Sequence, residues 1–174
     1  MTNTTLLAAL VFTLAGTALA QSPAGAPFQA TAVTRAGHLQ FPAPVDKVFP
    51  LFTPQGERHW APGWDPEILY PKHAEVAAGM VFRTQEGVEH VWTVTRYEPA
   101  AHTVAYNVVA HGVLVRQIEV RCRAADANRS EVSVTDSYVG LSPEGNAMVE
   151  KIDEAAYAKK MERWQRAIGA YLEK

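Results

Sequence analysis

Cysteine is almost absent from this sequence, since the 174 residues include only Cys122. A single thiol excludes an intramolecular disulfide, so the fold must be held together by its core. Apolar residues make up 48% of the chain, which is enough to build the core of one domain. Cys122 falls on the apolar side of an alternating strand pattern and is predicted to be a small core residue.

The sequence also lacks clustered charge and metal-binding motifs. Its formal net charge is −2, and Lys and Arg do not cluster, which argues against nucleic acid or an anionic membrane surface as a partner. The six histidines are scattered, without a His-x-x-x-His pair or a cysteine cluster. We therefore predict no metal site and no cofactor. The partner that remains is small or neutral.

The longest apolar run, Leu6 to Ala20, is too short to cross a bilayer comfortably. It ends in Ala18-Leu19-Ala20, the small-x-small pattern that precedes signal-peptidase cleavage. The sequence thus predicts a signal peptide over residues 1–20, a flexible leader over 21–27 and one domain over 28–174. The expected location is periplasmic or secreted, with no membrane span after cleavage. The alternatives are an uncleaved anchor or a buried helix.

The mature chain alternates between apolar and polar residues over most of its length. A first strand is predicted over residues 31–41, followed by short helical pieces from Pro44 onward. After Gly79 a meander of antiparallel strands is predicted. Its five strands cover residues 80–85, 89–98, 102–110, 113–124 and 130–140. Trp92, Val94, Tyr106 and Val108 are expected on the same dry face as the apolar residues of the last two strands.

Matching these dry faces predicts the register between neighbouring strands. A turn centred on Ala127 pairs Cys122 with Val132 and sets Asp136 opposite Ile118. A two-residue turn at His111-Gly112 would break the match, so we predict a three-residue loop ending in Gly112.

The last segment is predicted to be one long helix. Ser142 is a favourable cap with Pro143 in the first turn, and the helix is expected to run from about Asn146 to Leu172. Its apolar stripe is formed by Val149, Ala156, Tyr157, Trp164, Ile168 and Tyr171. Asp153 and Lys160 fall on the same side as this stripe.

Three stretches, "FPAPVDKVFPLFT", "TPQGERHWAPGWDP" and "YVGLSPEGNAMVEK", together with this element order, resemble the START/Bet v 1-like (SRPBCC) superfamily. The nearest resemblance is to an uncharacterised bacterial branch of polyketide-cyclase-like proteins. The resemblance covers residues 28–174 and implies an α+β helix-grip fold, in which a curved antiparallel sheet wraps around a long C-terminal helix. It also implies a hydrophobic ligand held between the sheet and that helix. The shared fold does not specify an activity.

Charged residues on the predicted dry face are the first candidates for a site. Arg116 and Asp136 lie diagonally across neighbouring strands, and Lys160 lies on the inner side of the helix. Buried charges are costly unless they are paired. One interpretation is a structural Arg116–Asp136 pair with Lys160 extending outward. The other is that one of the three binds the polar end of an apolar ligand.

The stretch "GERHWAPGWDP", residues 56–66, offers further candidates. Glu57, His59 and Asp65 could bind metal, but their spacing is poor for it. Glu57 could act in acid–base catalysis with His59 or His90. Trp60 and Trp64, held by a Pro-Gly turn, fit the wall of a cavity best, although they could equally plug the end of the core.

The leading hypothesis is an exported carrier or sensor of a small hydrophobic molecule. The ligand-binding candidates are Trp60, Trp64, Trp92, Tyr106, Arg116, Tyr138, Tyr157, Lys160 and Trp164. The second hypothesis is a cyclase or dehydratase with Glu57, His90 or Asp136 as general base. The third is a structural domain with a filled core, which contacts another envelope protein.

Overall fold

The computed structural model describes residues 27–72 and 75–174. The predicted signal peptide and nearly all of the leader lie outside them. Within the described residues, seven strands form one antiparallel sheet in the order β1-β7-β6-β5-β4-β3-β2. The strands are β1 Ala32–Phe41, β2 Glu67–Tyr70, β3 Val81–Glu86, β4 Val88–Glu98, β5 Thr103–Ala110, β6 Leu114–Asp126 and β7 Arg129–Gly140. The predicted helix-grip fold is confirmed.

The register of the last two strands follows the predicted face match. Cys122 pairs with Val132, Val120 with Val134 and Ile118 with Asp136. The apolar members of these pairs are buried, because one sheet face is covered while the other is open to solvent. Trp92, Val94, Tyr106 and Val108 continue the buried face on β4 and β5, as the alternation predicts.

Two details of the strand prediction were wrong. The loop between β5 and β6 does have three residues, but Ala110 pairs with Leu114, so Gly112 is its middle residue. Tyr106 consequently faces Ile118, a shift of two residues that keeps the same faces together. The short strand β2 was not predicted. Its residues Glu67–Tyr70 are mostly exposed, so they carry little alternating signal.

Short helical turns connect β1 to β2. They are α1 Val45–Val48, a 3-10 turn Phe49–Phe52 and α2 Pro54–Glu57. The Thr53 side chain caps α2 by accepting a hydrogen bond from the Gly56 backbone N–H, which satisfies one of the free donors at the helix start. These turns bury Val48, Phe49, Leu51 and Phe52 in the core and position residues 57–66 beside the sheet.

The C-terminal helix is interrupted, which corrects the prediction of one continuous helix. Helix α3 covers Pro143–Glu150, with Ser142 as its cap as predicted, and α4 covers Glu154–Leu172. Asp153 has an extended backbone, and its carboxylate accepts a hydrogen bond from the Ala156 N–H. Asp153 is therefore an exposed N-cap of a second helix and does not extend the buried stripe. Ala156 is exposed as well.

Helix α4 lies closest to the sheet at β1. A Cβ atom on Gly37 would lie 2.5 Å from the Met161 sulfur, so the absence of a side chain at Gly37 lets Met161 pack directly on the strand. Tyr157, Met161 and Ile168 are the buried residues of α4. Among residues 27–72 and 75–174, no helix is both long and apolar enough to cross a membrane.

Candidate functional site

A cavity of about 440 Å³ lies between the sheet, α4 and the segment that follows α2. We call it the inner cavity. All four tryptophans of the chain line it, together with Tyr106. The other lining residues are Glu57, Ala61, Pro62, Gly63, Gln85, Arg116, Ile118, Val120, Lys160 and Arg163.

The aromatic side chains of the inner cavity pack edge to face against one another. Trp60 meets Trp164 with ring centroids 5.5 Å apart, and Trp64 meets Trp92 at 5.2 Å. Tyr106 meets Trp92 at 5.9 Å. Such pairs stabilise one another beyond their buried area, so the aromatic residues of the wall hold one another in place.

The polar atoms of these aromatic residues are largely occupied by the protein itself. The indole N–H groups of Trp60 and Trp64 donate to the Leu51 and Pro54 carbonyls at 2.7 and 2.8 Å. Trp92 donates to the Thr84 hydroxyl at 3.0 Å. The Tyr106 hydroxyl donates to the Phe52 carbonyl at 2.7 Å. These rings therefore present mainly apolar surface to the cavity.

The other polar residues of the 56–66 stretch point to separate partners. His59 stacks on Tyr171 with centroids 5.1 Å apart, and Asp65 pairs with Arg58 at 3.1 Å. Glu57 is half-buried and lines the inner cavity. Within the part of the chain that the structure describes, no group of three or more His, Cys, Asp or Glu side chains could hold a metal ion.

A buried charged network forms one side of the inner cavity. Asp136 accepts two hydrogen bonds from Arg116, at 2.6 and 2.7 Å, one to each carboxylate oxygen. Its Oδ2 also accepts from Lys160 Nζ at 2.6 Å and from the Tyr138 hydroxyl at 2.7 Å. The Asp136 side chain is fully buried, whereas those of Arg116 and Lys160 retain 16% and 19% exposure. Asp136 thus anchors both cations from behind.

The position of Lys160 differs from the expectation that it extends outward beside an Arg116–Asp136 pair. The side chain does not extend outward, because its ammonium group reaches inward to Asp136 and the Tyr138 hydroxyl. It lies 4.9 Å from the centre of the Trp164 ring and 5.2 Å from that of Tyr157. Carboxylate and aromatic faces together hold the cation here.

Burial and neighbouring charges shift the pKa values in this network. Burial and the positive charge of Arg116 lower the pKa of Lys160 to about 8, although Asp136 and Glu57 oppose this change. Burial disfavours the Asp136 carboxylate, but Arg116 and Lys160 outweigh it and hold its pKa below the ordinary value. Burial raises the pKa of the Tyr138 hydroxyl. The cluster therefore holds a carboxylate, a guanidinium and an amine that titrates near physiological pH.

The nine predicted ligand-binding residues lie in three different places. Trp60, Trp64, Trp92, Tyr106, Arg116, Lys160 and Trp164 line the inner cavity. Tyr138 is instead buried in the charged network. Tyr157 lines a different space, described below.

The catalytic candidates are also separated. Glu57 borders the inner cavity, and Asp136 lies behind Arg116 and Lys160. His90 lies on β4, two residues from Trp92, where its Nδ1 is 3.0 Å from the Val88 carbonyl oxygen, and it is not one of the lining residues. Of the three, only Glu57 adjoins the space where a ligand would lie.

A family model described as "Polyketide cyclase / dehydrase and lipid transport" matches residues 28–169. The chain belongs to this family. It is therefore a member of the SRPBCC superfamily of hydrophobic-ligand-binding proteins, as the sequence resemblance implied. No curated protein sequence matches the chain.

Solved structures show the same fold at low sequence identity. Norcoclaurine synthase from Thalictrum flavum superposes with a TM-score of 0.60 at 12% identity, covering 83% of this chain and 88% of that one. The ZhuI aromatase/cyclase from Streptomyces sp. R1128 gives 0.58 at 21% identity, covering 82% and 94%. Ara h 8.0201 gives 0.61 at 15% identity, covering 83% and 100%. These likenesses concern the fold alone.

A second and larger space in this protein, about 660 Å³, lies between β1 and α4. We call it the edge groove. Its lining residues are Thr34, Arg35, Ala36, Gly37, His38, Leu39, Glu154, Tyr157, Ala158, Met161, Glu162 and Gln165. Most of these side chains are short or charged. Tyr157 is its one aromatic lining residue among the described parts of the chain.

Sequence reasoning missed two polar lining residues of the inner cavity, Gln85 and Arg163. Arg163 follows the predicted stripe position of Lys160 by three residues, so helical spacing could have indicated it. Gln85 lies on the polar side of the β3 alternation, and no sequence signal places it at the cavity.

Proposed function

We propose that this protein is an exported carrier or sensor that binds a small hydrophobic molecule in the inner cavity. The observation that carries this proposal is a preformed aromatic wall around about 440 Å³ of space. Ligand pockets in proteins usually measure roughly 300–1,000 Å³ and are mostly apolar with a few polar groups.

The wall favours a flat ligand. Three of its four tryptophans, Trp60, Trp64 and Trp92, are fixed by their own hydrogen bonds, so they lose little rotamer entropy when a ligand enters. The fold neighbours are consistent with this ligand class, since one norcoclaurine synthase structure contains dopamine and hydroxybenzaldehyde.

The second candidate is an enzyme of the cyclase or dehydratase type. Glu57 and Lys160 both border the inner cavity, and the pKa of Lys160 is about 8, which suits proton transfer near neutral pH. The carrier has priority because His90 is outside the lining and Asp136 is covered by its partners. A bound molecule recovered unchanged after prolonged incubation supports a carrier, whereas a new product mass supports an enzyme.

Ligand binding can be tested with N-phenyl-1-naphthylamine, an uncharged aromatic probe that fluoresces in apolar surroundings. We expect the native protein to bind it and Ala61→Trp to weaken binding at least about tenfold, because the larger side chain occupies the inner cavity. Ala158→Trp is the matched control, since Ala158 lines the edge groove. Equal weakening by both variants, or no binding by the native protein, would contradict the proposal.

Export and the natural ligand can be tested together. Native mass spectrometry of the protein from its own host should give a chain that begins at Gln21 and carries an apolar molecule. A mass that includes residues 1–20 would contradict cleavage, and a ligand-free protein would count against the carrier.

A further inference from the structure

The inner cavity offers a ligand few polar contacts, and they are concentrated on one side. The indole N–H groups of Trp60, Trp64 and Trp92 and the hydroxyl of Tyr106 are directed into the protein. The lining side chains left for a polar group on the ligand are therefore the charged residues, Gln85 and the indole of Trp164.

Arg116 and Lys160 line this space, and each retains N–H groups beyond those that donate to Asp136 and Tyr138. Their common partner Asp136 is fully buried behind them and accepts four hydrogen bonds from the network. Asp136 thus positions both cations but does not itself reach the cavity. Guanidinium and ammonium groups donate and cannot accept, so a ligand group beside them must be an acceptor.

The charge balance favours an acceptor that is also an anion. Among the described residues that border the inner cavity, Arg116, Lys160 and Arg163 are positive and Glu57 is negative. Asp136 adds a second negative charge behind them. These formal charges sum to +1, but Arg163 is exposed to solvent. The preference for an anion therefore rests on Arg116 and Lys160, whose two positive charges share one buried carboxylate.

We propose that the natural ligand is an acidic molecule with a flat apolar body, whose carboxylate binds beside Arg116 and Lys160. This inference rests on the proposed function, since it names the class of ligand for the same cavity. A carboxylate matches both cations through charge-assisted hydrogen bonds. The aromatic body then lies against the tryptophans, and Asp136 is a positioning residue.

The test is displacement of N-phenyl-1-naphthylamine by two competitors of the same shape, 2-naphthoate and 2-naphthamide. We expect the native protein to prefer the acid about tenfold, the size of one charge-assisted hydrogen bond. In Lys160→Met this ratio should approach one, and in Lys160→Arg it should persist. Lys159→Met, an exposed neighbour on α4, should keep the native ratio.

Both competitors are measured on the same variant, so a general loss of affinity cancels from the ratio. Equal displacement by acid and amide in the native protein, or stronger displacement by 2-naphthylmethylamine, would overturn the acidic-ligand inference while leaving a binding cavity intact. A native ratio retained in Lys160→Met would overturn it too. Failure of the probe to bind at all would instead overturn the proposed function.

Discussion

The inner cavity and the edge groove border different faces of the same helix, α4, yet the side chains that line them differ in chemistry. The edge groove is larger, at about 660 Å³ against 440 Å³. Its wall consists mainly of the β1 edge, short side chains and exposed charges. The inner cavity is lined by rings from β4, β5, α4 and the segment after α2. The volume of a cavity limits only the size of a ligand, whereas the chemistry of the lining residues determines which molecule binds.

The two spaces also differ in how their charges are held. In the inner cavity, Arg116 and Lys160 share one fully buried carboxylate. In the edge groove, Glu154 and Glu162 are exposed. Charges in water contribute little to stability, while a buried network depends on every member. This difference can be tested by removing one charge from each space.

The largest expected effect is that of Asp136→Asn. This change leaves two cations beside each other without their common carboxylate, so we expect the free energy of unfolding to fall by about 3–5 kcal/mol. Urea unfolding followed by tryptophan fluorescence measures it. Glu162→Gln in the edge groove is the control and should change stability by less than about 0.5 kcal/mol. Similar losses in the two variants would show that the charged network is solvated and the contrast is wrong.

A smaller effect is expected from removing one tyrosine hydroxyl in each space. Tyr106→Phe loses the buried hydrogen bond to the Phe52 carbonyl and should lower the free energy of unfolding by about 1 kcal/mol. The hydroxyl of Tyr157 is buried with no hydrogen-bond partner among residues 27–72 and 75–174. Tyr157→Phe should therefore leave thermal stability unchanged or raise it. A loss in Tyr157→Phe equal to that in Tyr106→Phe would show that a water molecule satisfies this hydroxyl.

The smallest effect concerns pH. Arg116, Asp136, Tyr138 and Glu57 surround Lys160, whose pKa in the free protein is about 8. Below about pH 8 Lys160 carries an ammonium charge, which strengthens the binding of an anionic ligand. Above that pH the amine is neutral and this contribution to affinity is lost. Binding of an anion raises the pKa of Lys160, so the affinity for 2-naphthoate should fall about fivefold between about pH 7 and about pH 9. That of 2-naphthamide should stay constant. A parallel fall for both would indicate a change in the protein rather than in this charge.

Much of the sheet could be predicted from the sequence because the alternation of apolar and polar residues along a strand indicates which side chains are buried. A one-residue slip would expose every core side chain of a strand, so matching the dry faces was enough to pair Cys122 with Val132 and to set Asp136 opposite Ile118. The same rule cannot distinguish registers that differ by two residues. This is why the loop at Gly112 was displaced by one position.

The break before α4 escaped the sequence analysis for a related reason. Residues 151–153 contain no Pro or Gly, so helical spacing seemed to continue through them. Asp153 ends that continuity by capping α4 with its own carboxylate, while the Ile152 carbonyl accepts a hydrogen bond from Arg35 on β1. A contact between residues 117 positions apart has no local signature.

The sequence by itself determined the buried face of the sheet and the residue types available for a site, since periodicity and composition are local properties. Its resemblance to a known superfamily implied the fold class. Only the tertiary structure decided which of these residues meet. It placed four tryptophans from three segments around one cavity, turned Lys160 inward to Asp136 and left His90 and Tyr157 elsewhere. The reason is that alternation along a strand indicates which of its side chains are buried, whereas the shape and charge of a cavity depend on long-range packing between elements.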